Sequence, residues 1–134
     1  MAFRRVNCIA HAVGLHNSDF FLGTLEDDLR ALRTPRAASL EFAEVLLGYY
    51  WRRKKATPRA GDLIVYCEGP NKRVKHMGVV LIGGVIRSKW GELPAIFDHR
   101  TWQVPLSFGE TVQYYHPMPL SAVEASYSQF YGLA

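Results

Sequence analysis

The spacing of the apolar residues changes once along this chain, between Trp51 and Gly61. That change limits the fold more than any other feature. Before it, Ile9, Ala12 and Val13 fall at helical intervals. Leu25, Leu29 and Leu32 form one stripe behind Thr24, a cap candidate with Asp27 three residues on. Leu40, Ala43, Leu47, Tyr50 and Trp51 share a face behind Ser39. The run Trp51-Arg52-Arg53-Lys54-Lys55 reads as the basic end of that helix, and Pro58 stops it. After the change the period is two. Leu63, Val65 and Cys67 alternate with Ile64 and Tyr66, a β-branched run starts at His76, and Gly83-Gly84 marks a hairpin into "VIRSKW". "AIFDH" and "TVQYYH" read as two more strands, and the last fourteen residues as a helix or a frayed tail. Helices first and an antiparallel meander second predict an α+β fold, with N-terminal helices packed on the sheet in a single domain over residues 1–134.

With 134 residues and 49% hydrophobic content, the core needs no staples. Two cysteines make no disulfide scaffold. No basic, apolar leader opens the chain and no run is long enough to span a bilayer, so we expect a protein made in the cytoplasm without a Sec signal or transmembrane segment, with leaderless export open to it. A net charge of +4 suits an anionic partner. The cations cluster in one short run, however, and no nucleic-acid motif accompanies them, which points away from nucleic acid as the partner.

The five histidines, His11, His16, His76, His99 and His116, form no HxxxH pair, and there is no CxxC; we expect neither metal nor other cofactor. His11 and His16 are five apart, the wrong spacing for one helical face, and read as surface residues. Glu26, Asp27 and Asp28 read as a solvated helix start. Cys67 lies on an apolar strand face and reads as inert core. Cys8 differs: it heads the first helix, where the dipole favours a thiolate. His76 starts a strand, where an imidazole needs a cleft or a partner. A cysteine on a helix, a base on a sheet and a third polar group to orient the base make a nucleophilic relay. The plainer reading makes Cys8 a buried hydrophobe, His76 a satisfied core histidine, and Trp90, Trp102 and Phe108 packing rather than cleft walls.

The segments "GDLIVY" and "HMGVVLIGG" resemble the Gly-Asp-Leu and His-Val-Gly strands of NlpC-type cysteine peptidases, the bacterial branch of the papain-like superfamily. "NCIA", a strand histidine, "SKWG" and "FDH" also resemble, in this order, a small group of bacterial domains. The resemblance implies a papain-like, NlpC-like fold with Cys8 as nucleophile and His76 as base. It leaves the third group open between His99 and Ser88. Asn7 is a candidate for the oxyanion hole or the helix cap, and Ser88, Lys89 and Trp90 for the cleft. The implied activity is a cysteine hydrolase acting on an amide or peptide bond, with bacterial cell-wall peptides as leading substrate class. A secreted toxin or effector, with an immunity or carrier protein as partner, fits the same reading. Two alternatives use the same residues: an acyltransferase, transglutaminase-like or deamidase activity, and a non-catalytic binding module.

Overall fold

A computed structural model describes residues 7–53, 57–90 and 95–133. Lys54 and Lys55 of the basic run and Gly91 of "SKWG" lie outside them. The helices are α1 (Cys8–Ala12), α2 (Asp19–Arg30), α3 (Leu40–Leu47) and α4 (Leu120–Phe130). The strands are β1 (Arg52–Arg53), β2 (Leu63–Glu68), β3 (Arg73–Val80), β4 (Ile86–Lys89), β5 (Ile96–His99) and β6 (Thr111–Tyr115). They form one antiparallel sheet in the order β1-β6-β2-β3-β4-β5. The α+β class is as the sequence predicts. No helix among the described residues is long and apolar enough to cross a membrane.

The meander holds from β2 to β5 but not beyond. β6 returns to the far side of β2 and pairs along it from Leu63↔Tyr115 to Cys67↔Thr111. Gly109, with φ at 106°, makes that return possible: a Cβ there would overlap the Cys67 carbonyl, which accepts the Glu110 N–H at 3.1 Å. The basic run does not end α3. That helix stops at Leu47, and Arg52 pairs with Tyr115 as part of the edge strand β1.

Ser39 caps α3 as expected, accepting the Phe42 N–H. The buried face is Phe42, Ala43, Leu46 and Leu47, whereas Leu40 and Trp51 are exposed. α2 begins earlier than the sequence suggests. Ser18 caps it by accepting the Phe21 N–H, while Thr24 sits inside the helix and donates to the Phe20 carbonyl. The helix ends at Arg30, so Leu32 leaves the stripe and is 94% exposed. Asp28 is not solvated: it is buried and takes both Nε and Nη2 of Arg36 together with the Arg36 backbone N–H.

The sheet separates two cores. On one face Leu63, Val65, Cys67, Val74 and Met77 meet Ile9, Ala12 and Val13 of the α1 segment and the apolar faces of α2–α4. Burial of each large side chain here contributes roughly 1.5–3 kcal/mol, which fixes a helix as short as α1. On the other face Ile64, Tyr66, Val80 and Ile86 are covered by Val104, Phe108, Val112 and Tyr114. The register slips between Tyr66↔His76 and Cys67↔Val74, leaving Lys75 as the extra residue of a bulge. The bulge sets which face each neighbouring side chain of β3 occupies.

Candidate active site at the parting of two strands

Cys8 opens α1. Asn7 caps the helix, its Oδ1 accepting the Ala10 N–H at 2.9 Å while its Nδ2 donates to the Ala38 carbonyl at 2.8 Å. Asn7 thus caps the helix, one of the two roles expected of it. The thiol packs at the edge of the helical core, within reach of the backbone N–H groups of Cys8, Ile9 and Met77. The third contact follows from the sheet. The Val80 N–H donates to the Asp62 carbonyl on the β2 side. N–H groups alternate along a strand, so that of Met77 points towards β4. The β3–β4 ladder comprises only Val79↔Arg87 and Val80↔Ile86. Where the strands part, the sulfur occupies the place of the missing partner. The charge of Lys89, buried in β4, also favours the thiolate, but burial is the larger effect and raises the thiol pKa above its ordinary 9.0.

His76 comes from the same stretch of β3 but turns to the opposite face. Its ring stacks on Phe108 with centroids 3.9 Å apart and planes at 18°, and leans on Tyr66. Its Nε2 is buried without a hydrogen-bond partner, so the expected imidazole–thiol bond through that nitrogen is not made. Burial, then the nearby His99, pushes the His76 pKa down to about 3. Cys8 and His76 are thus brought to one peptide, the sulfur against the N–H of Met77 and the ring on the residue before it, from the two sides of the strand.

Ser88, His99 and Trp90 gather on the His76 face. His99 Nδ1 lies 2.7 Å from the Arg100 carbonyl, which only accepts, so Nδ1 carries the proton and Nε2 accepts the Ser88 hydroxyl at 2.8 Å. The Trp90 indole N–H donates to the same Ser88 oxygen at 3.1 Å. Both His99 nitrogens are therefore engaged, and neither His99 nor Ser88 orients His76 by a hydrogen bond as expected. Phe108 fixes the ring plane instead. Gly78 lets this cluster close, because a Cβ there would press on Ile86 and Ser88 at 3.0–3.2 Å. Lys89 belongs to the other face, beside Cys8 and His11. Cys67 is buried core, and both cysteines are free thiols.

A family model described as a domain of unknown function, DUF7689, matches residues 2–116. The chain belongs to this family. No curated protein and no solved structure matches it.

This DUF7689 domain also carries a polar pair that sequence spacing hides. α1 ends at Ala12, and Gly14, at φ 88°, turns the chain into a short 3-10 turn over Leu15–Asn17. His16 thereby doubles back onto His11, with ring centroids 4.4 Å apart. Far from lying on the surface, His11 is 7% exposed. The signal was the glycine between the two histidines, since the spacing argument holds only for an unbroken helix. Among the described residues no three His, Cys, Asp or Glu side chains are grouped to hold a metal ion.

Proposed function

We propose that this domain is a cysteine hydrolase of papain-like, NlpC-like type that cleaves an amide or peptide bond, with Cys8 as nucleophile and His76 as base. One observation carries the reading. The Cys8 sulfur sits at the first turn of a helix, in reach of three backbone N–H groups, one of which belongs to the residue following His76. These donors and Lys89 stabilise negative charge on sulfur or on a carbonyl oxygen bound beside it. Burial opposes charge on both partners, so the resting pair is a neutral thiol and a neutral imidazole. The proton then leaves sulfur as the S–C bond forms. His76, which lies across β3 from the sulfur, takes it only if its ring swings off Phe108 into the gap between β3 and β4, and the imidazolium then returns it to the leaving amine as the C–N bond breaks. Water resolves the thioester in a hydrolase. An amine acceptor makes the same site an acyltransferase. Ser88, His99 and Trp90 form a hydrogen-bonded cluster on the same face of the sheet as His76. Bacterial cell-wall peptides are the leading substrate class, from the sequence resemblance.

The raised Cys8 pKa favours a second reading, a non-catalytic binding module on the same fold. Incubation with an activated ester followed by mass analysis separates the two. The enzyme reading expects an acyl adduct on Cys8 that Cys8→Ala removes and His76→Ala slows. An unmodified Cys8, or an adduct on Cys67, selects the binding module.

A further inference from the structure

The geometry points to a carboxylate-binding pocket one helical turn beyond Cys8, in the cleft between α1 and the β3–β5 segment, with His11, His16 and Arg87 as its polar groups. The cavity measures about 720 Å³. Ala12, Val79, Leu81 and Ile96 make its apolar wall, and His11, His16, Arg87 and Asp98 its polar side. Three features argue for an anion with an apolar stem.

First, the Nδ1 atoms of both His11 and His16 are buried without a hydrogen-bond partner. An unsatisfied buried polar atom is costly, and the two stacked rings line the cavity, so a ligand there gives them partners once a ring turns a nitrogen towards it. Second, the surrounding charge is positive. The groups facing His11 are His16, Arg87 and Lys89, and among the described cleft residues Asp98 is the one carboxylate. Asp98 is already held by Arg87 Nε at 2.8 Å and Nη2 at 2.9 Å, which leaves the Nη1 donors of Arg87 unengaged. Third, burial and then this charge push the His11 pKa down to about 4, and burial lowers that of His16. An entering carboxylate reverses the charge effect, so the imidazoles take up protons and donate to it. Affinity then falls as pH rises, by up to about tenfold per pH unit for each proton bound.

His11 lies one helical turn from Cys8, so under the hydrolase reading the pocket receives a carboxylate of the substrate, such as a peptide C-terminus. That assignment rests on the hydrolase reading; the binding itself does not need the thiol. The test is imidazole NMR of the whole chain, wild type and Cys8→Ala, titrated with N-acetylalanine, its amide, inorganic phosphate and zinc. We expect N-acetylalanine to give saturable shifts at the His11 and His16 rings but not at His99, equally in both chains, tightening as pH falls from 7 to 5. Arg87→Gln, at a half-exposed position, should weaken binding about tenfold. Shifts produced equally by the amide, preferred binding of phosphate or zinc, or no saturable shift at these two rings would each overturn the pocket. Loss of turnover in Cys8→Ala with carboxylate binding kept would support both readings; kept binding without turnover in the wild type would remove only the hydrolase.

Discussion

His99 in β5 and the His11–His16 pair at the end of α1 lie on opposite faces of the sheet, and they are treated in opposite ways. His99 has both nitrogens engaged, one donating to a backbone carbonyl and the other accepting from Ser88. Its tautomer is fixed and its ring belongs to the structure. The His11 and His16 rings stack on each other at a cavity wall, and their buried Nδ1 atoms have no partner. Burial alone therefore leaves two kinds of imidazole, one with both nitrogens engaged and one with an unpartnered nitrogen. His76 stands between the two cases, packed like a structural residue against Phe108 but with Nε2 bare.

The largest effect that sharpens this contrast is on activity. Cys8→Ala should abolish acyl-enzyme formation, and His76→Ala should cost on the order of 10²–10⁴-fold in rate, the range for a positioned acid–base group. His99→Gln should cost far less, because its ring touches no nitrogen of His76. Equal losses at His76 and His99, read from single-turnover rates, would erase the distinction.

Acid stability comes next. The unfolded chain protonates each histidine near 6.5, whereas folded His76 and His11 resist protonation down to about 3 and about 4. The unfolded state binds more protons in that window, so stability is complete above about pH 6.5 and is lost as pH falls, by about 1.4 kcal/mol per pH unit for each such histidine. Urea midpoints measured between pH 7 and 4.5 should show this slope, and His76→Phe should reduce it by one group.

The helical caps of α1 and α3, the alternation in β2, the Gly83-Gly84 hairpin and the burial of Cys67 were all legible in the sequence, because each is a local rule. What was not legible depends on distant contacts. Asp28 gave no sign of burial because its partner Arg36 lies beyond the helix end. The return of β6 to β2 depends on Gly109 lying against the Cys67 backbone, a contact between segments far apart in sequence. His76 was read as the start of a strand, whereas β3 begins at Arg73 and bulges at Lys75 before it, and a bulge leaves no mark in period-two spacing. Sequence named the residues that gather at the parting of β3 and β4, but not which of them bond to one another.

Two smaller effects probe the His99 face. Ser88→Ala leaves His99 Nε2 and the Trp90 N–H without their shared partner, and should cost about 1–3 kcal/mol in urea unfolding with an unchanged m-value. Phe108→Leu keeps the apolar cover but loses the stack on His76, for about 0.5–1.5 kcal/mol. It should also change the rate of acylation, whereas Ser88→Ala should change stability more than rate. The reverse pattern would make Ser88, and not Phe108, the group that positions the base.

The most direct test of the account is the alkylation rate of each cysteine in the native chain as a function of pH, with sites assigned by mass mapping. Cys8 should be modified while Cys67 stays protected until the chain unfolds. The Cys8 rate should keep rising through pH 9, because burial holds its pKa above the ordinary thiol value. His76→Ala should slow the reaction at neutral pH, where the imidazole is needed to take the proton. Protection of Cys8 until unfolding, or a rate indifferent to His76, would contradict the thiol site at the parting of β3 and β4.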